Sequence, residues 1–175
     1  MRRSERYDAE FAEFVAARST QLHRTAYLLT TSSHGAEDLV QTTLAKAYAS
    51  WWRVRAAGDP VAYVHGMLTK SFLSDRRRRS SGELPVAETP ERPDHQPDPV
   101  DRLALLAALA TLAPLDRAVV VLRFWEDRSV GRTAADLGLT EAAVKNRSLR
   151  ALRSLRQQLD DDVLAAPADT DRRTR

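Results

Sequence analysis

Along this chain the large apolar residues recur every three or four positions and no segment alternates convincingly, so the pattern predicts helices and no strands. Phe11, Phe14, Val15, Leu22, Ala26 and Leu29 share one face of a first helix. Its end is predicted in Thr30-Thr31-Ser32-Ser33-His34-Gly35, where short polar side chains and a glycine compete with helical hydrogen bonds. A second helix should run from about Ala36 to Trp52. Leu39, Val40, Thr43, Leu44, Ala47, Tyr48 and Trp51 make its continuous stripe, with Glu37, Asp38, Gln41 and Lys46 off it. Gly58 then breaks the pattern, Asp59 is suited to cap a third helix, and Pro60 fits its first position. That helix turns Val61, Val64, Leu68 and Phe72 inward and finishes in Asp75 and four consecutive arginines, Arg76 to Arg79.

The pattern resumes with Leu103, Leu106, Ala107 and Ala110 in a short helix, broken at Leu112-Ala113-Pro114-Leu115, after which Leu115, Ala118, Val119 and Leu122 begin another. Phe124 and Trp125 precede the last two helices and are expected to close a small core over them. In that final pair Ser129 can cap the first helix, and Ala134 and Leu137 supply its apolar face. Gly138 supplies the positive φ of a tight turn, and Thr140 caps the second helix. Val144, Ala151 and Leu152 should be buried, whereas Lys145, Asn146, Arg147 and Arg150 point outward near the helix start. This is a helix-turn-helix, whose second helix presents such side chains to base edges and phosphates in the major groove. The plainer alternative is a surface hairpin with a solvated cationic face.

Five of the eight prolines fall between the two helical blocks, with hardly a large apolar residue besides Leu84 and Val86, so that stretch cannot build a core. The predicted architecture is all-α. Two small helical domains, 5–80 and 101–160, are joined by a flexible, acidic, proline-rich linker at 81–100 and followed by a disordered tail at 161–175. The net charge of +3 conceals +5 over 1–80, −4 over 81–100, +4 over 101–159 and −2 beyond. Two basic blocks point to nucleic acid. The arginine run fits either a solvated helix end favoured by the helix dipole or, in front of a DNA-binding module, phosphate contacts.

Other chemistry is sparse. The absence of cysteine excludes disulfides and thiolate sites, His23, His34, His65 and His95 lack metal-ligand spacing, and no glycine-rich phosphate loop occurs. No enzyme, metal or cofactor site is therefore expected. The N-terminal residues lack the apolar core of a signal peptide, and the longest nearly apolar run, Leu103 to Ala113, is too short for a bilayer. A cytoplasmic protein without membrane insertion is the expectation.

With both blocks read, the order of parts resembles the extracytoplasmic-function group of the sigma-70 family, bacterial RNA polymerase initiation factors, in wording similar to the actinobacterial SigE family. Residues 36–48 look like the family's polymerase-binding helix, 59–64 like the start of its promoter-melting helix, and 112–127 like the entry to its fourth conserved region. The resemblance implies that Glu37, Asp38, Gln41 and Ala45 dock on the clamp helices of the largest catalytic subunit of core polymerase. It places the minus-10 element of promoter DNA on Lys70, Ser71, Asp75, Arg76 and Arg77, and the minus-35 element on Lys145, Asn146, Arg147 and Arg150. The chain departs from the pattern at Lys70, where many members carry asparagine. The acidic linker either threads a positively charged polymerase channel, as the family linker does, or is a solubilising tether. An anti-sigma factor is a further candidate partner. The alternative class is a helix-turn-helix regulator that binds duplex DNA without polymerase.

Overall fold

The computed structural model describes residues 3–82 and 99–165, with side chains described over 5–80 and 102–160. Helix runs two residues into the expected linker (81–100) from each side, at 81–82 and 99–100, and five residues into the expected tail (161–175), at 161–165; the rest of both, 83–98 and 166–175, falls outside the described residues. Regular structure among the described residues is entirely helical. In order these are α1 (Arg3–Thr30), α2 (Ser33–Ala49), α3 (Trp51–Ala56), α4 (Pro60–Gly82), α5 (Pro99–Thr111), α6 (Pro114–Val120), α7 (Val130–Leu137) and α8 (Glu141–Ala165). A single π-helical turn, Val121–Trp125, extends α6.

Local chemistry sets the boundaries. Between α1 and α2 Thr31 adopts φ 58°, Ser32 accepts a hydrogen bond from the Gly35 amide at 3.2 Å, and a Cβ on Gly35 would come within 3.2 Å of Thr30 Cβ. The long second helix expected to Trp52 is interrupted at Ser50, where the backbone leaves helical dihedrals (φ −119°, ψ 26°) while both the Ser50 amide and its hydroxyl still bond to Lys46 O, at 3.2 and 2.8 Å. The break keeps Trp51 buried, with its ring 5.3 Å from both Phe11 and Phe14, and leaves Trp52 outside. Asp59 caps α4 by accepting from the Ala62 amide at 2.9 Å.

The two helical blocks pack on one another. Leu22, Ala26, Leu29, Val64, Leu68 and Phe72 share a core with Leu106, Ala118 and Val121 of the second block. Arg117, almost fully buried, donates to Leu29 O at 2.8 Å, Ala110 O at 2.9 Å and Leu112 O at 3.2 Å, so one guanidinium satisfies carbonyls at the C-terminal ends of α1 and α5. Burial, with the Arg76 charge adding to it, pulls its pKa down to about 10, which leaves it charged at neutral pH.

The π-helical turn corrects one expectation. A wider turn shifts the register of the residues that follow it. Phe124 and Trp125 are 51% and 52% exposed instead of closing a core, and Glu126 is carried toward α1 and α4. There its carboxylate accepts a hydrogen bond from Thr25 and lies 3.1 Å from His65 Nδ1, off the line of a hydrogen bond. Arg128 completes this polar seam by donating to Ala62 O at 3.0 Å and to Asp136 at 2.5 Å.

Candidate nucleic-acid interface

The final two helices fold as their caps dictate. Ser129 Oγ accepts from the Arg132 amide and Thr140 Oγ1 from the Ala143 amide, each at 3.1 Å, and Gly138 closes α7 at φ 65°. Thr133 and Ala134 on α7, with Val144, Ser148, Ala151 and Leu155 on α8, form the buried side. Leu152 departs from the expected buried set: it is exposed, because the buried stripe of α8 steps through 144, 148, 151 and 155. Lys145 and Asn146 are exposed as expected. Leu149 is 65% exposed beside them, a large apolar side chain with no place in the core. Sequence reasoning passed over it, although its position off the stripe was a legible signal.

Arg147 and Arg150 do not simply project into solvent. Both are paired with Asp116 of α6, Arg147 Nη1 at 2.6 Å from Oδ1 and Arg150 Nη2 at 2.8 Å from Oδ2. Arg147 is consequently half-buried, while Arg150 keeps most of its side chain exposed. Nothing in the sequence marked Asp116 as more than an acidic residue suited to a helix N-terminus.

The residues expected on α4 separate into two groups. Lys70, Asp75 and Arg77 are exposed and Arg76 is half-buried, with its guanidinium 5.7 Å from the Phe72 ring. Ser71 is buried and accepts a hydrogen bond from Lys46 Nζ at 2.9 Å, so helical periodicity turns it toward α2 and away from the surface. Asp75 pairs with Arg79 at 3.1 Å. An open groove of about 1050 Å³ separates Lys70, Arg76 and Arg77 from Leu115, Asp136 and Leu137 of the second block. On α2, Glu37, Asp38, Gln41 and Ala45 all lie on the exposed side, opposite Leu39, Val40, Thr43 and Ala47. Asp38 Oδ2 is 3.5 Å from His34 Nε2. No group of three or more metal-ligating side chains occurs among the described residues, and no helix among them is long and apolar enough to cross a membrane.

Comparison with known proteins assigns both blocks. The family model for sigma-70 region 2 matches residues 14–82, and that for sigma-70 region 4 matches 102–155. The RNA polymerase sigma-E factor of Streptomyces coelicolor is 38% identical over 152 residues, 86% of each chain. The chain belongs to the sigma-70 family. Within it, the ECF RNA polymerase sigma factor SigL of Mycobacterium tuberculosis is 33% identical over 150 residues, covering 80% of this sigma factor and 83% of SigL. Among solved structures, the sigma factor RpoE in complex with the anti-sigma factor NepR from Bartonella quintana superposes with a TM-score of 0.72 at 25% identity, covering 86% of this chain and 97% of that one. CnrH in complex with the cytosolic domain of CnrY shares the fold, with a TM-score of 0.62 at 23% identity over 89% and 90% of the two chains. This is an extracytoplasmic-function sigma factor, and it directs RNA polymerase to promoters.

Proposed function

We propose a division of labour for this sigma factor in which residues 5–80 engage core polymerase and the minus-10 element, and residues 101–160 read the minus-35 element. The observation that carries the reading is the exposed set Lys145, Asn146, Leu149 and Arg150 on a capped α8, where a side chain can reach base edges while the opposite face is held in the core. Glu37, Asp38, Gln41 and Ala45 present the docking face for the clamp helices, offered by a helix whose other side is fully committed to packing. Lys70, Asp75, Arg76 and Arg77 form the minus-10 surface, and Ser71 contributes by holding Lys46 against α4. The chain performs no reaction of its own; nucleotide addition belongs to the polymerase. It works in the cytoplasm, where a partner of the kind that RpoE has in NepR would hold it inactive.

DNase I footprinting of the holoenzyme tests this assignment. Lys145→Ala and Arg150→Ala should lose protection upstream and retain it downstream, since a direct base contact contributes roughly 1–3 kcal/mol. Equal loss at both elements would place the reading face elsewhere.

A further inference from the structure

Resting on the reading that α8 enters the major groove, Arg147 and Arg150 of that helix arrive there already engaged. Asp116 stands in the first turn of α6, its side chain only 11% exposed. Its Oδ1 accepts from Arg147 Nη1 at 2.6 Å and from Arg150 Nη2 at 3.0 Å, and its Oδ2 accepts from Arg150 Nη2 at 2.8 Å. One carboxylate thus serves two guanidinium groups, and the three side chains together still carry a positive charge. Arg150 remains 65% exposed, so the pairing restrains the group without covering it.

Restraint of this kind has a consequence for recognition. A long, unrestrained arginine on a DNA-facing helix binds whichever acceptor is nearest, and the nearest are phosphates, which are the same at every sequence. An arginine fixed by a carboxylate has already lost its rotamer freedom, and its fork is aimed in one direction. The carboxylate also repels phosphates that approach the pair. Both effects favour a base edge presenting two acceptors, which in the major groove is the O6 and N7 of guanine. We propose that Asp116 is a positioning residue for promoter specificity: it aims Arg150 at a guanine of the upstream element, with Arg147 as the strut on its other side. It raises discrimination at the expense of general affinity for DNA.

The test uses the full chain assembled with core polymerase and two duplex probes. One is the upstream sequence that the wild-type holoenzyme selects from a randomised library, and the other is a scrambled duplex of equal length. Asp116→Asn keeps the size of the side chain and removes its charge. It should bind the scrambled duplex more tightly and the selected duplex more weakly, lowering the ratio of the two by about tenfold, within the range expected for one bidentate base contact. Arg150→Lys leaves Asp116 paired with Arg147 and should lower the same ratio with scrambled-duplex affinity unchanged. Combining Asp116→Asn with Arg150→Ala should lower the ratio no further than Arg150→Ala alone. If Asp116→Asn shifts both affinities by the same factor, or Arg150→Lys retains the ratio, Asp116 merely ties α6 to α8 and the proposal is overturned. A wild-type holoenzyme that selects no upstream sequence overturns the reading of α8 itself.

Discussion

Replacing Glu126 tests whether the two helical blocks are held together in solution as they are in the structure. Its carboxylate accepts from Thr25 of α1, faces His65 of α4 at 3.1 Å, and is itself carried by the π-helical turn of the second block. Thr25 also donates to Gln21 O at 3.2 Å, so truncating Glu126 leaves the hydroxyl one partner. His65 has no such alternative: it is 1% exposed and would face the space left behind. Losing a hydrogen bond to a charged group and the carboxylate that faces and fills the space beside a buried imidazole together cost about 2–4 kcal/mol for Glu126→Ala, and Glu126→Gln, which still accepts from Thr25, about 1–2 kcal/mol. Urea denaturation with an unchanged slope should show the alanine variant with a midpoint lower by roughly 1–2 M. Acid provides a second readout. Burial alone would raise the Glu126 pKa, but Thr25, His65 and Arg128 reverse it and hold it below the ordinary carboxylate value. A depressed folded pKa means a contribution that is complete above the unfolded value and lost as pH falls through the folded one, so the gap between wild type and Glu126→Gln should close in acid. A Glu126→Ala chain that unfolds at the wild-type midpoint would show that this seam is not closed in solution.

Three further outcomes are expected. Asp38→Arg should weaken binding to core polymerase chiefly through a slower association rate, measured by surface plasmon resonance at low and high salt; an unchanged rate would remove α2's acidic face from the interface. Neutralising Arg76 and Arg77 together should reduce the salt dependence of promoter binding by up to about one counterion per lost phosphate contact, and a double variant with the wild-type slope would leave those arginines off the DNA. Leu149→Ala should erase any preference for thymine over deoxyuridine at a single position of the selected upstream duplex, because an exposed apolar side chain on a reading helix is suited to the thymine methyl group. A preference that survives the substitution would assign the methyl contact elsewhere.

What the sequence made legible was local. Ser129, Gly138, Thr140 and Asp59 each act within three or four residues of their own position, and all four do in the structure what their type and place imply. Burial of Leu22, Val64, Leu68, Phe72 and Val144 follows from helical spacing in the same way. The misses arise where a distant residue or a change of helical register decides the outcome. The backbone leaves helical dihedrals at Ser50 and splits one helix into two. The π-helical turn exposes Phe124 and Trp125 and delivers Glu126 to a histidine 61 positions earlier in the chain, a pairing that no spacing rule anticipates. Ser71 lies on the surface side of no helical projection of α4, and its burial could have been read from Leu68 and Phe72, whose stripe it borders. The pairing of Asp116 with Arg147 and Arg150 joins helices more than thirty residues apart, so their outward position on α8 was visible and their restraint was not.

The central claim is tested most directly by run-off transcription with purified core polymerase on genomic fragments, in the presence and absence of this chain. With it, discrete transcripts should begin at a small set of sites that share an upstream and a downstream element, and Arg150→Ala should abolish or weaken them. Core polymerase alone should give none at those sites. If the chain neither co-elutes with core enzyme nor changes the pattern of transcripts, its function as an initiation factor is contradicted, whatever affinity α8 has for DNA.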